Sequence, residues 1–313
     1  MDSFSPRQTR LQRKQQQGNN DEPAPKPTGN PPLVPSESDK IITSSPSQDP
    51  KESTATIKTL PDRPPISITR LPRKDHKLLL KKQNWLQKYT VSIPLDLNKP
   101  ASDAVSATLV FAQQEAGTAL CIDGSAGLLL TCSHCIAEDE DELDLTKTHW
   151  LLFASGTLVS ARCVAWDPVR DLSLLQITAA SSPPGGSFPA VTPADHPPPV
   201  DTKLICVGHP GSEDFEADEE GVATGYDVLH LSTGAFRGYA ERQDVQDNSE
   251  IGALQHDCWT YWGHSGAPLL DRDTGRLVGL HSSWDDETGM RRGVGIEAVG
   301  EFLRRYRRGV GLK

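Results

Sequence analysis

The sequence predicts an all-β fold in two packed units, each a sandwich or a barrel, behind a long tail. Three observations lead there. From about residue 100 onward, short apolar runs recur between turn residues: ATLVF, LLLTCSHCI, HWLLFA, ARCVAW, LSLLQI, KLICVG, VLHLST, GAPLLD, RLVGLHSS and GVGIEAV. No helical pattern alternates with them, which argues against an α/β sheet. The stretch SSPPGGSFPAVTPADHPPP, residues 181–199, is too rich in proline to be a central strand throughout, so it divides the β region near 190–200.

Taken in order, residues 1–75 hold 13 of the chain's 25 prolines among Ser, Gln, Asn and charge. Such a segment buries too little apolar area to offset its ordering entropy and is expected to be disordered. Residues 76–99 are a basic lead-in; RLPRKDHKLLLKKQNWLQK, residues 70–88, reads as a solvated or short helical segment. Residues 100–313 are the folded part, with a first β unit at about 100–190 and a second at about 198–300. EFLRRYRRG, residues 301–309, has apolar residues at 302, 303 and 306, with 299 one turn before, which predicts a short helix over about 298–309. EDEDELD (138–144) and EDFEADEE (213–220) read as solvated loops; neither has EF-hand spacing, and no metal is expected.

Charge is unevenly spread. The net charge is −10, yet residues 1–88 carry 16 Lys/Arg against 9 Asp/Glu, leaving 16 against 33 for the rest. An acidic folded part repels phosphates, so no nucleic-acid partner is expected. No run approaches the ~20 apolar residues of a membrane span. The N-terminus MDSFSPRQTRLQRKQQQ lacks the apolar core of a signal peptide. The expected setting is therefore intracellular, cytoplasm or nucleus, with the six cysteines (121, 132, 135, 163, 206, 258) as thiols.

The chemistry centres on YWGHSGAPLLD, residues 261–271. Glycine on both sides of Ser265 permits a tight turn whose amides, those of Gly263 and Ser265, can face an oxyanion. GHSGA nearly matches the nucleophile elbow of α/β-hydrolases, but Pro268 and a strand–turn–strand pattern follow rather than a helix, and only 48 residues remain. A serine nucleophile needs a base and a carboxylate that orients it. Upstream lie His134, at the end of LLLTCSHC, and Asp171, after a proline turn and before a strand in WDPVRDLSLLQI. Asp167 is the competing carboxylate, but WDP reads as a turn. Cys132 and Cys135 form a C-x-x-C around His134; no second pair exists to complete a zinc site.

LLLTCSHC, DLSLLQI and GHSGAPLL, in this order, resemble the histidine, aspartate and serine segments of trypsin-like serine peptidases, nearest to the HtrA-like and glutamyl-endopeptidase-like branches. KLICVGHPG and RLVGLHSSW resemble the strand opening the second barrel and the strand beside the substrate pocket, so the likeness runs over about 105–305. It implies two six-stranded antiparallel β-barrels with the site between them. It also implies a serine-type endopeptidase acting on a protein or peptide, with Ser265 as nucleophile, His134 as general base and later acid, and Asp171 orienting the imidazole. The Gly263 and Ser265 amides would form the oxyanion hole, and no metal or organic cofactor is implied. Thr260, His281 and Ser282 would border the pocket, where His281 could meet an acidic side chain. His264 stands where secreted members often have an activating aspartate, Cys121 and Cys135 where many have a disulfide, here expected as buried thiols, and no PDZ domain is expected. The alternative is a trypsin-fold binding module without activity.

Overall fold

A computed structural model describes Ser45–Pro46 and residues 71–90, 99–114, 117–181, 187–214, 217, 219 and 221–309. The disorder expected of residues 1–75 thus falls almost wholly outside the described residues. Helix α1, Arg73–Lys88, opens the folded part, and the two residues after it, Tyr89–Thr90, pair antiparallel with Ser45–Pro46. Helix α2 spans Lys99–Ala107.

The first barrel comprises β1 (Thr108–Phe111), β2 (Thr118–Asp123), β3 (Leu128–Thr131), β4 (His149–Phe153), β5 (Leu158–Asp167) and β6 (Leu172–Ala180). It closes in the order β1-β2-β3-β6-β5-β4. The second comprises β7 (Lys203–Gly208), β8 (His230–Tyr239), β9 (Leu254–His256), β10 (Pro268–Asp271), β11 (Leu277–Trp284) and β12 (Arg291–Gly295). Its order, β7-β8-β9-β12-β11-β10, repeats the first. All pairings within the barrels are antiparallel. The two six-stranded barrels expected from the sequence are therefore present.

Two strands and a helix had no counterpart among the apolar runs. β9 is three residues long, too short to show a period of two, and β2 begins and ends with polar residues. Among its described side chains α2 buries the apolar residues Ala104, Val105 and Ala107. The GVGIEAV run also divides differently: β12 ends at Gly295 and helix α3, Ile296–Arg308, takes up IEAV. α3 buries Ile296, Val299, Phe302 and Leu303 and stops at Gly309 in the left-handed region (φ +65°), where glycine carries no Cβ penalty.

Alternation along β1 explains how the barrels meet. Leu109 and Phe111 face the first barrel's interior with Leu151, Phe153, Leu175 and Ile177. Val110 faces the other way, into a cluster shared with Leu120, Leu130 and Leu174 and with Ile205, Val207, Leu231 and Leu280 of the second barrel. Leu79 and Leu86 of α1 and Phe302 of α3 join that same cluster, so both helices pack on the layer between the barrels. One side of the basic lead-in is thus buried: Lys82 is 2% exposed, and its ammonium donates to the carbonyls of Phe111 (2.8 Å) and Gln114. A buried ammonium costs several kcal/mol unless bonded in this way. No helix among the described residues is long and apolar enough to cross a membrane.

Candidate active site

The histidine arm starts at the end of β3. A short 3-10 turn, Ser133–Cys135, follows the strand, and the Trp166 indole N–H donates to Ser133 O (3.2 Å), fixing the turn to β5. His134 projects from it, partly exposed. The carboxylate arm is the turn between β5 and β6. Asp167 closes β5, accepts from Arg170 N (3.1 Å) and pairs with the Arg170 guanidinium (2.9 Å), so it is occupied as a turn residue. Asp171 follows with φ +55°, a left-handed conformation that Asp and Asn tolerate better than most residues.

Asp171 is fully buried. Its Oδ1 lies 2.9 Å and its Oδ2 3.1 Å from His134 Nδ1. Ser133 Oγ donates to Oδ1 (2.9 Å) and Ser282 Oγ to Oδ2 (2.6 Å). A carboxylate without water needs such donors, and a carboxylate on Nδ1 selects the tautomer whose Nε2 is free to accept a proton.

The serine arm is a sharp loop. His264 N donates to Tyr261 O (3.0 Å), closing a turn in which Gly263 has φ +102°, as the third residue of a type II turn requires. Gly211 N donates to Trp262 O (2.5 Å). A trans peptide points its C=O and N–H in opposite directions, so that bond holds Gly263 N–H turned away from Gly211. The amides of Gly263 and Ser265 donate to no described residue. The loop's carbonyls are tied to the first barrel instead: Gly117 N donates to Gly263 O (3.0 Å) and Thr118 N to Ser265 O (3.0 Å). The Ser265 hydroxyl donates to Ser282 O (3.3 Å), with no hydrogen bond to His134 among the described residues.

Ser282 therefore touches both arms: its hydroxyl holds Asp171 and its carbonyl holds Ser265. A β-bulge explains this. In the β11–β12 register His281 faces Gly293 and Ser283 faces Arg292, which leaves Ser282 as the extra residue. Bulges re-aim a side chain in this way beside functional sites. The sequence reading set Ser282 beside the pocket with Thr260 and His281; the structure bonds its side chain to the carboxylate. Thr260 is 7% exposed. His281 is buried, and its Nδ1 lies 3.0 Å from His256 Nε2.

The cysteines are free thiols; Cys135 is half-buried, unlike the other five, and its thiol donates to Ser265 O (3.5 Å). Cys132, His134 and Asp171 place ligand atoms within 4.8 Å of one another. Two of the three already bond each other, and the Cys132 thiol donates to His281 O (3.5 Å), so the group is engaged as an internal network.

Five buried imidazoles among the described residues are pushed toward the neutral form, His230 among them by desolvation. Burial lowers His149 to about 4, chiefly by desolvation. His256 and His264 fall to about 3, and His281 lies well below the usual 6.5, each mainly through burial, with Arg291 and the neighbouring imidazoles adding to it. Their folded values are depressed, so this stability is present above pH 6.5 and declines as pH falls toward the folded values. Protonation of these imidazoles favours the unfolded chain across that window, so stability falls with falling pH. The unfolding midpoint is therefore expected to fall steadily from pH 6.5 to 4.5 in thermal melts; a flat profile would contradict the buried neutral histidines.

Residues 117–280 match the family model described as the trypsin-like peptidase domain. The chain belongs to that family. The trypsin-like fold is also seen in the serine endoprotease from Yersinia pestis, with a TM-score of 0.50 and 17% identity over 69% of this chain and 68% of that one. A Mycobacterium tuberculosis H37Rv protein, solved as an inactive mutant, aligns with 72% of this chain and 98% of its own, at 14% identity and a TM-score of 0.49. No curated protein matches the chain. Membership of the trypsin-like peptidase domain family makes this a protease-type fold whose substrates are proteins or peptides.

Proposed function

We propose that the chain is a serine-type endopeptidase working through Ser265, His134 and Asp171. The observation that carries this reading is the buried Asp171 carboxylate on His134 Nδ1, opposite a Ser265 loop strapped to the same barrel. Ser265 Oγ attacks the scissile carbonyl carbon and gives its proton to His134 Nε2. The developing oxyanion takes hydrogen bonds from the Gly263 and Ser265 amides, which have no other described acceptor. His134 then protonates the leaving amine, the C–N bond breaks, and an acyl-enzyme remains. Water, deprotonated by the same imidazole, attacks the ester; the acid product leaves and the serine regains its proton. Asp171 stays ionised throughout and stabilises the imidazolium. The reaction draws on no metal or organic cofactor.

A fluorophosphonate probe tests this, because serine is a weak nucleophile without its base. Wild-type protein is expected to label at one serine, mapped to Ser265, while Ser265→Ala and His134→Ala do not. Folded wild-type protein that stays unlabelled would remove the catalytic reading. It would favour a trypsin-fold binding module instead, in keeping with the Ser265 hydroxyl resting on Ser282 O.

A further inference from the structure

Arg291 stands in an unusual place. It pairs directly with His256 on β9 and with Trp284 on β11, so these three side chains leave the sheet on one face in a single row. Gly293, two residues further along β12, pairs with His281, which puts His281 on that face as well. The row is closed at both ends. The Trp284 ring packs edge-on against Trp262 at 4.4 Å, beside Gly263, and His256 bonds His281. His281 O accepts from Gly266 N (2.9 Å), next to Ser265. The face bearing Arg291 therefore adjoins the nucleophile loop.

The Arg291 side chain is half-buried and forms no hydrogen bond or ion pair among the described residues. Its neighbour Arg292 is fully engaged, with Gly252 O (2.7 Å), Gln243 Oε1 (2.6 Å) and Asp285 (3.8 Å). A half-buried guanidinium with five donors and no acceptor is a ready partner for a planar carboxylate. Its positive charge also reaches His256, His264 and His281, helping to keep them neutral. His281 consequently brings no charge of its own at neutral pH, and the fixed positive charge on this face is that of Arg291. The buried Thr260 hydroxyl, on the segment linking β9 to the loop, also has no hydrogen-bond partner among the described residues.

We propose that the pocket beside Ser265 takes an acidic side chain, glutamate or aspartate, on the acyl side of the scissile bond (P1), paired with Arg291. The assignment of a P1 residue rests on the hydrolytic reading above. Two peptides differing only at P1, Glu against Gln, provide the test. The Glu peptide is expected to be cleaved with a kcat/KM about 30-fold higher, because a bidentate pair is lost with the amide. Arg291→Ala should abolish the preference, Arg291→Lys should retain part of it, and Arg291→Glu should reverse it toward P1 Lys. The preference should hold from pH 6.5 to 9, since guanidinium stays charged; a preference lost over that range would assign recognition to a histidine instead. Equal cleavage of the two peptides, or a preference that survives Arg291→Ala, would overturn the proposal.

A binding measurement separates this from the catalytic reading. With Ser265→Ala protein, the uncleaved Glu peptide is expected to bind about tenfold more tightly than the Gln peptide, and not after Arg291→Ala is added. Labelling at Ser265 without any Glu preference sinks the pocket and leaves the peptidase. Glu-selective, Arg291-dependent binding without labelling keeps the pocket and sinks the peptidase.

Discussion

Asp171→Asn is expected to lower kcat about 10⁴-fold while changing the unfolding midpoint little. Asparagine is the least disruptive change available here. It accepts the left-handed backbone at φ +55° and matches the aspartate in size. Ser133 and Ser282, which now donate to the two carboxylate oxygens, can rotate their hydroxyls to accept from an amide instead. The histidine has less freedom. An amide N–H directed at Nδ1 drives the imidazole proton to Nε2, where it blocks acceptance of the Ser265 proton. The loss then appears in kcat and in the rate of fluorophosphonate labelling, with the fold intact by circular dichroism. A loss smaller than tenfold would mean that Asp171 only packs against His134.

Gly266→Ala is expected to be the most damaging single methyl in the site. A Cβ there would lie 2.2 Å from Thr118 O and 2.5 Å from Thr131 Oγ1, at a backbone φ of +81°. The left-handed backbone alone costs about 1–3 kcal/mol for a residue with a side chain. The contact cannot be relieved by turning a flexible side chain, because Thr118 O belongs to β2 and already accepts from Thr131 Oγ1 (2.7 Å). The loop must retreat from the first barrel, breaking the bonds from Gly117 N and Thr118 N that hold Gly263 O and Ser265 O. Urea denaturation should show a loss of about 3 kcal/mol or more, and labelling at Ser265 should disappear. An unchanged urea midpoint would show that the seam between loop and barrel is looser than these distances indicate.

Both substitutions act where the barrels meet, and there the reading from sequence divides. Long strands such as β5 and β6 announced themselves by the mostly apolar runs ARCVAW and LSLLQI, and Pro-rich 181–199 separated the two sets of strands. β9, three residues long, and α2, whose described buried apolar residues are Ala104, Val105 and Ala107, left no periodic signal for the eye to follow. The order His134, Asp171, Ser265 and their small flanking residues were likewise legible, since the chemistry demands those residue types. Thr260 and His281 were marked as pocket residues, but their bonding was not.

What the sequence by itself determined is the inventory: apolar runs of strand length, glycines where a loop needs positive φ, and candidates for nucleophile, base and carboxylate. Tertiary structure decided which of them touch. The bulge that turns Ser282 onto Asp171 shifts the pairing by one residue, and no residue type in GLHSSW encodes that shift. Arg291 and Arg292 are adjacent and chemically identical, yet strand alternation sends one to Gly252 O and Gln243 and places the other in a row with His256 and Trp284. Composition and local pattern set what a residue can do; register and closure of the barrel set where it does it, because they depend on pairings between strands far apart in the chain.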